Sequence, residues 1–350
     1  MLRILFIFTA FLLLDLQPIS AMSKAPVQTV HTPSDAIGVR TLKYEDKARK
    51  RPVVVELWYP TDRSSVAFDE PMDKVWIHPQ ETRNTPIKAA QSSYPLILMS
   101  HGHRGDRRER SWLADILVKQ GSIVAAVEHF GNTWNQYIPL ISLRFWERAK
   151  DVSFALDRLL EEPLLQGRID SGRIGFVGYS LGGMTGLALA GAQAKNTREI
   201  VIRQQENMKE LTRAAIDQVD FSEADKSYFE PRIRSMFLIC PATFVYPPES
   251  LSQVKIPIGL VAAINDEVLP HQEHAYQIIK HLVPYKLKVM RKEISHYAFL
   301  NRITEFGRKH LQKAIQSDPP CCDRASIHRE VGAFAIEFFQ ETLQKNELGP

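Results

Sequence analysis

The stretch Arg173-Ile-Gly-Phe-Val-Gly-Tyr-Ser-Leu-Gly-Gly183 decides the fold. Its first half is a short apolar run typical of a buried strand, and an apolar run of helical length follows it. A Gly-x-Ser-x-Gly sequence between a strand and a helix is typical of a very tight turn, in which the serine takes a strained backbone conformation. Side chains at Gly178 and Gly182 would collide in such a turn. We therefore expect Ser180 to stand above the sheet, at the positive end of the helix, as a nucleophile.

Apolar runs of strand length alternate with helical stretches along most of the chain. The predicted strands are Pro95–Ser100, Ser122–Val127, Arg173–Val177, Met236–Ile239, Pro257–Ala262 and Lys286–Lys292, and the predicted helices are Glu109–Gln120, Arg144–Leu160, Leu181–Gln193, His271–Leu282 and Ile327–Leu343. Strands that are apolar on both faces indicate a parallel sheet covered by helices on each side. The sequence thus predicts an α/β fold of the α/β-hydrolase type, with a mostly parallel, doubly wound sheet and an antiparallel edge strand at Val53–Tyr59.

Two segments interrupt this alternation. Residues 61–93 are polar and rich in proline, which predicts a long surface excursion. Residues 195–233 carry a charged pattern in which apolar residues recur at helical spacing, namely Met208, Leu211, Ala215 and Val219. Because the segment follows the nucleophile helix, we expect a helical cap inserted beside the site. The alternative is a surface helix packed on the body of the domain.

A serine nucleophile needs a general base, and the base needs an acid that orients it. In this fold the acid and then the base follow the serine along the chain, each just after a strand. Asp266 follows the strand Pro257–Ala262, and His296 follows the strand Lys286–Lys292. The sequence therefore predicts Asp266 as the acid and His296 as the base. Glu267 is the nearest rival, and the alternative role for Asp266 is a turn or a helix cap.

Acyl transfer also needs donors for the developing oxyanion. Leu181, directly after the nucleophile, should supply one backbone N–H, and the loop Ser100–Gly105 should supply the other through His103. Three histidines and one carboxylate near the strand ends raise the alternative of a metal site, namely His101, His103, Glu128 and His129. No carboxylate-rich motif accompanies them, so we do not expect a metal.

The first residues have the pattern of an export signal. Arg3 precedes an apolar run from Ile4 to Leu14, and small residues follow, so cleavage is expected after Ala21 or Ser23. A membrane anchor is the alternative, but this run is shorter than the about 20 residues that span a bilayer. The sequence predicts a signal peptide over residues 1–23, a hydrolase domain over residues 24–350, and an exported protein that is periplasmic or secreted.

Composition limits the partners. The net charge is +4, and lysine and arginine are scattered, whereas nucleic-acid-binding proteins concentrate them in a patch, so no nucleic acid is expected. An oxidising compartment would permit a disulfide among Cys240, Cys321 and Cys322. Adjacent cysteines rarely bond to each other, and the sequence leaves both the pairing and the oligomeric state open.

These motifs resemble those of bacterial hydrolases related to platelet-activating-factor acetylhydrolase. These bacterial proteins are often labelled predicted dienelactone hydrolases. The likeness lies in the turn Gly178–Gly182 around Ser180, which we call the elbow. It extends to the segments Gly38–Leu42, Glu56–Pro60, Ser100–Gly105, Ile123–Trp134, Asp151–Leu159, Pro231–Arg234 and Cys322–His328. It implies a cofactor-free hydrolase of esters with short or oxidised acyl chains, including phospholipids. Transient contact with a membrane surface would suit such substrates.

The chain departs from this group at three places. Tyr179 stands where many relatives have histidine. Animal acetylhydrolases place their acid after the strand that here ends near Cys240, but no carboxylate occurs from Leu238 to Pro248, which again favours Asp266. Dienelactone hydrolases use a cysteine nucleophile, so the lactone substrate is not implied for a serine elbow.

The expected function is cleavage of carboxylic esters through an acyl-enzyme on Ser180. The same three residues would also serve a peptidase or amidase, because one fold hosts both chemistries. A binding protein that kept the fold and lost the reaction is the third alternative. The candidate nucleophile, acid and base occur in the order that the fold requires, which favours an enzyme.

Overall fold

The computed structural model describes residues 36–62, 74–89, 93–204, 212–282, 285–290, 294–316 and 323–344. The strands are β1 (Ala36–Asp46), β2 (Arg51–Thr61), β3 (Trp76–Ile77), β4 (Thr82–Arg83), β5 (Tyr94–Ser100), β6 (Ile123–His129), β7 (Ile169–Tyr179), β8 (Ile233–Ile239), β9 (Ile258–Ala263), β10 (Tyr285–Met290) and β11 (Arg302–Ile303). The helices are α1 (Ser111–Lys119), α2 (Pro139–Ser142), α3 (Glu147–Glu161), α4 (Leu181–Leu189), α5 (Thr197–Gln204), α6 (Arg213–Ile216), α7 (Pro248–Leu251), α8 (Ala275–His281), α9 (Glu305–His310), α10 (Lys313–Gln316) and α11 (Arg324–Thr342). Short 3₁₀ helices lie at Pro163–Leu165 and His296–Phe299.

Nine strands form one sheet in the order β10-β9-β8-β7-β5-β6-β2-β1-β4. The six strands from β10 to β6 run parallel to one another, and β2 joins β6 antiparallel. Strands β3 and β11 form a separate antiparallel pair. The predicted mostly parallel α/β sheet is therefore confirmed.

Both faces of the sheet are covered by helices, as the continuous apolar strands predicted. Along β5 the side chains alternate: Leu96 and Leu98 pack on the face covered by α3, α4 and α8, whereas Ile97 and Met99 pack on the face covered by α1 and α11. All four side chains are buried. Successive residues of a strand point to opposite faces, so an apolar run without alternation is stable only between two helical layers.

The predicted edge strand at Val53–Tyr59 is antiparallel, but it is not at the edge. It forms part of β2, which pairs with β6 on one side and with β1 along its whole length on the other. β1 was missed because glycine and polar residues interrupt the apolar ones in Ala36–Asp46, so no continuous apolar run marks it. β4 then lies outside β1 and forms the edge of the sheet.

Residues 74–89 belong to the predicted surface excursion, yet they pack on the body. Trp76 contacts the core layer under α1 and α11, and Trp58 Nε1 donates a hydrogen bond of 2.8 Å to Glu81. Most residues of this part are exposed or half-buried, as expected of a surface segment, while Thr82, Thr85 and Ile87 are buried. Residues 63–73 and 90–92 lie outside the described residues.

The described parts of 195–233 fold onto the body next to α2 and α3. Val201 of α5 and Ile216 of α6 are buried in a small cluster with Leu143, and Ala215 and Val219 pack against the same cluster. Met208 and Leu211 lie outside the described residues. The described apolar positions thus pack on the body, and the helical cap over 195–233 stays a prediction.

Three expectations concern the ends of the chain and its cysteines. The predicted signal peptide, Cys321 and Cys322 lie outside the described residues, and Cys240 is a buried free thiol. None of the helices in the described ranges is long and apolar enough to cross a membrane.

Candidate active site

The turn between β7 and α4 has the geometry that the glycines require. Ser180 has φ of 55° and ψ of −118°, outside the range that most residues adopt. A Cβ at Gly178 would overlap the backbone of Gly182, and a Cβ at Gly182 would overlap the carbonyl of Ser100. Both positions are thus restricted to glycine, and the structure around the turn holds the strained backbone of Ser180. Because α4 begins directly after it, Ser180 lies at the positive end of that helix.

Ser180, His296 and Asp266 form one hydrogen-bonded chain. His296 Nε2 lies 3.0 Å from Ser180 Oγ, and His296 Nδ1 lies 2.7 Å from Asp266 Oδ2. A carboxylate only accepts, so Nδ1 carries the proton, and Nε2 is left to accept from the serine hydroxyl. All three residues are buried, with 7% of Ser180 exposed. The structure brings together the three side chains that the sequence proposed as nucleophile, base and acid.

The structure distinguishes Asp266 from Glu267. The other oxygen of Asp266, Oδ1, accepts from the backbone N–H groups of Val268 and Leu269 at 3.0 and 2.6 Å. Asp266 is therefore both a turn residue and the partner of the imidazole. Glu267 Oε2 accepts from the backbone N–H of His296 at 3.1 Å. Glu267 fixes the backbone of the histidine, whereas Asp266 fixes the ring.

Two further buried side chains lie beside His296 and Asp266. The Tyr179 hydroxyl donates to the carbonyl oxygen of His296 at 2.9 Å, and the two rings lie 5.0 Å apart. Burial raises the pKa of Tyr179 well above its ordinary value, so it remains a donor. Cys240 lies beside Asp266, and burial together with that carboxylate raises the pKa of its thiol. Cys240 is therefore kept as an uncharged thiol, which is a weak nucleophile.

A cavity of ≈ 590 Å³ opens above Ser180 and His296. One wall is apolar and includes Trp76, Leu300, Phe306, Leu311 and Ile315. The loop after β5 also lines the cavity, through His103, Arg104 and Asp106, and so does Trp134. None of the described residues of 195–233 lines this cavity. The walls come instead from the 74–76 segment and from α9 and α10, which the sequence had not connected with the site.

The loop after β5 lies against the elbow. Gly102 approaches Ser180 so closely that an added Cβ would lie 3.4 Å from the Ser180 Cβ. The N–H of Gly102 donates to Glu109 Oε1 at 3.0 Å, so this amide already has a partner. His103 lines the cavity beside Ser180, and Leu181 is the first residue of α4, where an amide has no partner within the helix. These two amides are the predicted oxyanion donors.

The four residues considered for a metal do not converge on one point. His101 Nε2 accepts from the N–H of His129 at 3.1 Å, and the ring of His129 lies between Ser100 and Asp151. Glu128 pairs with Arg107, while His103 contacts Asn132. In the described ranges, donor atoms of Cys240, Asp266 and His296 do lie within 4.8 Å of one another, but there the imidazole Nδ1 already donates to the carboxylate.

The side chains beneath the loop form a polar network that sequence reasoning missed. It includes Ser100, His129, Arg148 and Asp151, which are all buried and do not line the cavity. The only signal in the sequence was the Arg148-Ala-Lys-Asp151 spacing, which places both charged groups on one face of α3.

Comparison with known proteins adds three findings. Residues 78–134 match the family described as platelet-activating factor acetylhydrolase, isoform II. The pig (Sus scrofa) acylamino-acid-releasing enzyme is 24% identical over 238 residues, which are 63% of this chain and 32% of that protein. A ferulic acid esterase from Streptomyces cinnamoneus superimposes with a TM-score of 0.61 and 19% identity, covering 93% of this chain and 94% of the esterase.

The three comparisons cover different parts of the chain. The matched segment 78–134 contains the loop after β5 but not Ser180. The chain spans about a third of the length of the curated relative that it matches. The esterase superposition covers almost the whole chain and shows the fold. Together with the strand–serine–helix turn, they show that the protein has the α/β-hydrolase fold and that residues 78–134 are similar to the platelet-activating factor acetylhydrolase isoform II family.

Proposed function

We propose that this protein is a serine hydrolase that cleaves carboxylic esters. The observation that carries the proposal is the Ser180–His296–Asp266 chain at the base of a cavity, with hydrogen bonds of 3.0 and 2.7 Å. Each contact lies in the range that a proton transfer requires. The similarity to acetylhydrolases and the fold shared with an esterase support the same reaction class.

In the proposed reaction, Ser180 Oγ attacks the ester carbonyl while His296 Nε2 takes its proton. The negative charge that develops on the carbonyl oxygen is bound by the amides of Leu181 and His103. His296, held by Asp266, then gives the proton to the departing alkoxide, and the acyl group stays on the serine. Water then attacks the acyl-enzyme and gives a proton to His296 Nε2. His296 passes this proton to Ser180 Oγ as the carboxylic acid leaves.

The cavity supports an ester with an apolar group of some size. Trp76, Phe306, Leu311 and Ile315 offer apolar surface to an acyl chain or an apolar alcohol. A short acetyl group would fill only a small part of ≈ 590 Å³. Esters with medium-length acyl chains and phospholipid-type esters are therefore both candidate substrates.

The nucleophile is tested by Ser180→Ala. A fluorophosphonate probe should label the wild-type protein and not the variant, and kcat towards p-nitrophenyl esters should fall by roughly 10⁴- to 10⁶-fold because the serine acts with its partners as a unit. A matched series of anilides distinguishes an esterase from an amidase, the class suggested by the acylamino-acid-releasing enzyme. Labelling of Ser180→Ala would overturn the assignment, and absence of labelling in the wild type would favour a binding protein.

Two proposals from the sequence go with this function. We propose that residues 1–23 are removed on export, which sequencing of the N-terminus of the protein recovered from its native compartment would test. We also propose transient contact with a membrane surface near the cavity mouth, where Trp134, Val268 and Phe306 are exposed. Sedimentation with phosphatidylcholine vesicles tests that contact.

A further inference from the structure

The loop after β5 is held from below by a network that repeats the residue types of the reacting chain. Ser100 Oγ lies 2.9 Å from His129 Nε2, and His129 Nδ1 lies 3.0 Å from Asp151 Oδ2. No solvent reaches any of these three side chains, which are all 0% exposed. Without access to the cavity they have no substrate to act on, so their role must be exerted on other parts of the protein.

One set of proton positions satisfies the network. Asp151 only accepts, so His129 Nδ1 donates to it, and His129 Nε2 accepts from the Ser100 hydroxyl. His101 Nδ1 donates to the carbonyl of Gly102 at 2.8 Å, which leaves His101 Nε2 to accept from the amide of His129. Both imidazoles are then neutral. A buried network that is fully paired in a single arrangement fixes one geometry of the groups around it.

Arg148 connects this network to both sides of the reacting centre. Its guanidinium donates to the carbonyl of His101 and, at 3.2 Å, to Ser100 Oγ. It also donates to Asn132 Oδ1 at 2.9 Å and to Thr185 Oγ1, on the nucleophile helix, at 3.2 Å. A planar group with five donors in a fixed fork can hold several elements at set distances, which a lysine cannot.

Asn132 extends this hold to the tip of the loop. Its Oδ1 accepts from the amide of Arg104 at 3.3 Å, and its Nδ2 lies 3.0 Å from His103 Nδ1. The residues on each side of the His103 amide are thereby fixed: Gly102 through its hydrogen bond to Glu109, and Arg104 through Asn132. The direction of the His103 amide follows from these neighbours.

We propose that Arg148, supported by Asp151, His129 and Ser100, is the positioning residue of the oxyanion loop. It touches neither substrate nor the reacting atoms, and it acts by setting the direction of the His103 N–H relative to Ser180. The inference rests on the proposed hydrolase function, because it assigns the network a task in that reaction. A loss of positioning should weaken binding of the transition state and leave binding of the ground state almost unchanged.

The test compares Arg148→Met with Arg148→Lys and with the control Arg232→Met, which removes an arginine contact to Asp157 near the other end of the same helix α3. In Arg148→Met, kcat for a p-nitrophenyl ester should fall by about 10²- to 10³-fold, the loss typical of one oxyanion donor. KM should change little, and inhibition by phenylboronic acid, which forms a tetrahedral adduct on the serine, should weaken in parallel. Arg148→Lys should be intermediate, and Arg232→Met should match the wild type.

A second variant and a second readout keep the proposal open to refutation. Asn132→Ala removes the contacts at the loop tip alone, so it tests the same hold if Arg148→Met fails to fold. Amide hydrogen exchange across residues 101–105 should be faster in both variants than in Arg232→Met. Unchanged kcat, or a change confined to KM, would overturn the positioning role. If the wild type cleaves no ester and the probe does not label it, the proposed function has failed, and exchange of 101–105 still decides whether Arg148 holds the loop.

Discussion

At the scale of single residues, the adjacent carboxylates Asp266 and Glu267 differ in role because their hydrogen bonds go to different parts of His296. Asp266 contacts the imidazole of His296, and Glu267 contacts only its backbone amide. Asp266→Asn should lower kcat by roughly 10⁴-fold, because an amide at this position favours the wrong tautomer of the base. Glu267→Gln keeps an oxygen that accepts from the same amide, so its effect should be small. Steady-state kinetics of the two variants on one ester check this, and the reverse order of effects would reassign the acid.

Sequence reasoning found the residues whose order along the chain carries information. Ser180, Asp266 and His296 each follow a strand, and the carboxyl ends of parallel strands meet at one edge of the sheet. Arg148 and Asn132 follow no such rule, because they act through the carbonyls and amides of another segment. A sequence pattern does not say which backbone group a long side chain will reach.

At the scale of elements, the strands could be predicted from the sequence, whereas the walls of the cavity could not. The buried parallel strands were predicted because a continuous apolar run has few alternatives in a soluble protein. The walls were not predicted, because Trp76 lies in a polar, proline-rich segment, and α9 and α10 are short and distant from Ser180 in sequence. Their position depends on how loops cross the carboxyl edge of the sheet, which local propensity does not specify.

The cavity walls lead to a prediction about acyl length. Trp76→Ala should lower kcat/KM for longer acyl esters while leaving the acetyl ester almost unchanged, because each buried methylene contributes about 0.8 kcal/mol, or about fourfold in rate. Val201→Ala is the matched control in the segment predicted as a cap. Because Val201 is buried away from the cavity, its loss should reduce the free energy of unfolding by about 2 kcal/mol without altering the chain-length profile. A p-nitrophenyl ester series together with chemical denaturation checks both. A changed dependence of kcat/KM on acyl length in Val201→Ala would favour the cap predicted for residues 195–233.

At the scale of the whole molecule, the buried histidines link stability to pH. Burial lowers the pKa of His129 to about 3, and Arg148 adds to that effect. Burial likewise lowers the pKa of His328 to about 3; this residue donates to the carbonyl of Leu300 and stacks on Trp112 at 4.1 Å. The unfolded chain takes up a proton at each histidine near pH 6.5, and the folded protein does not. The unfolded state therefore binds more protons between pH 6.5 and pH 3, and stability must fall as the pH is lowered through that window.

The size of the loss follows from the proton uptake alone. At pH 5 each of these two histidines should reduce the free energy of unfolding by about 2 kcal/mol relative to pH 7.5. His101, whose pKa burial also lowers well below its ordinary value, should add to that loss. The carboxylates with lowered pKa, such as Glu56, begin to matter only below about pH 4.5, so the interval from pH 7.5 to 5 isolates the histidines. His328→Gln keeps a donor for Leu300 and removes one titrating group, so the stability of this variant should fall by about 2 kcal/mol less than that of the wild type between pH 7.5 and pH 5. Urea denaturation of both proteins at the two pH values measures the difference. If stability stays level between pH 7.5 and 5 in the wild type, the two imidazoles are not held neutral in the fold, and the single proton arrangement derived for the network under the oxyanion loop would be wrong as well.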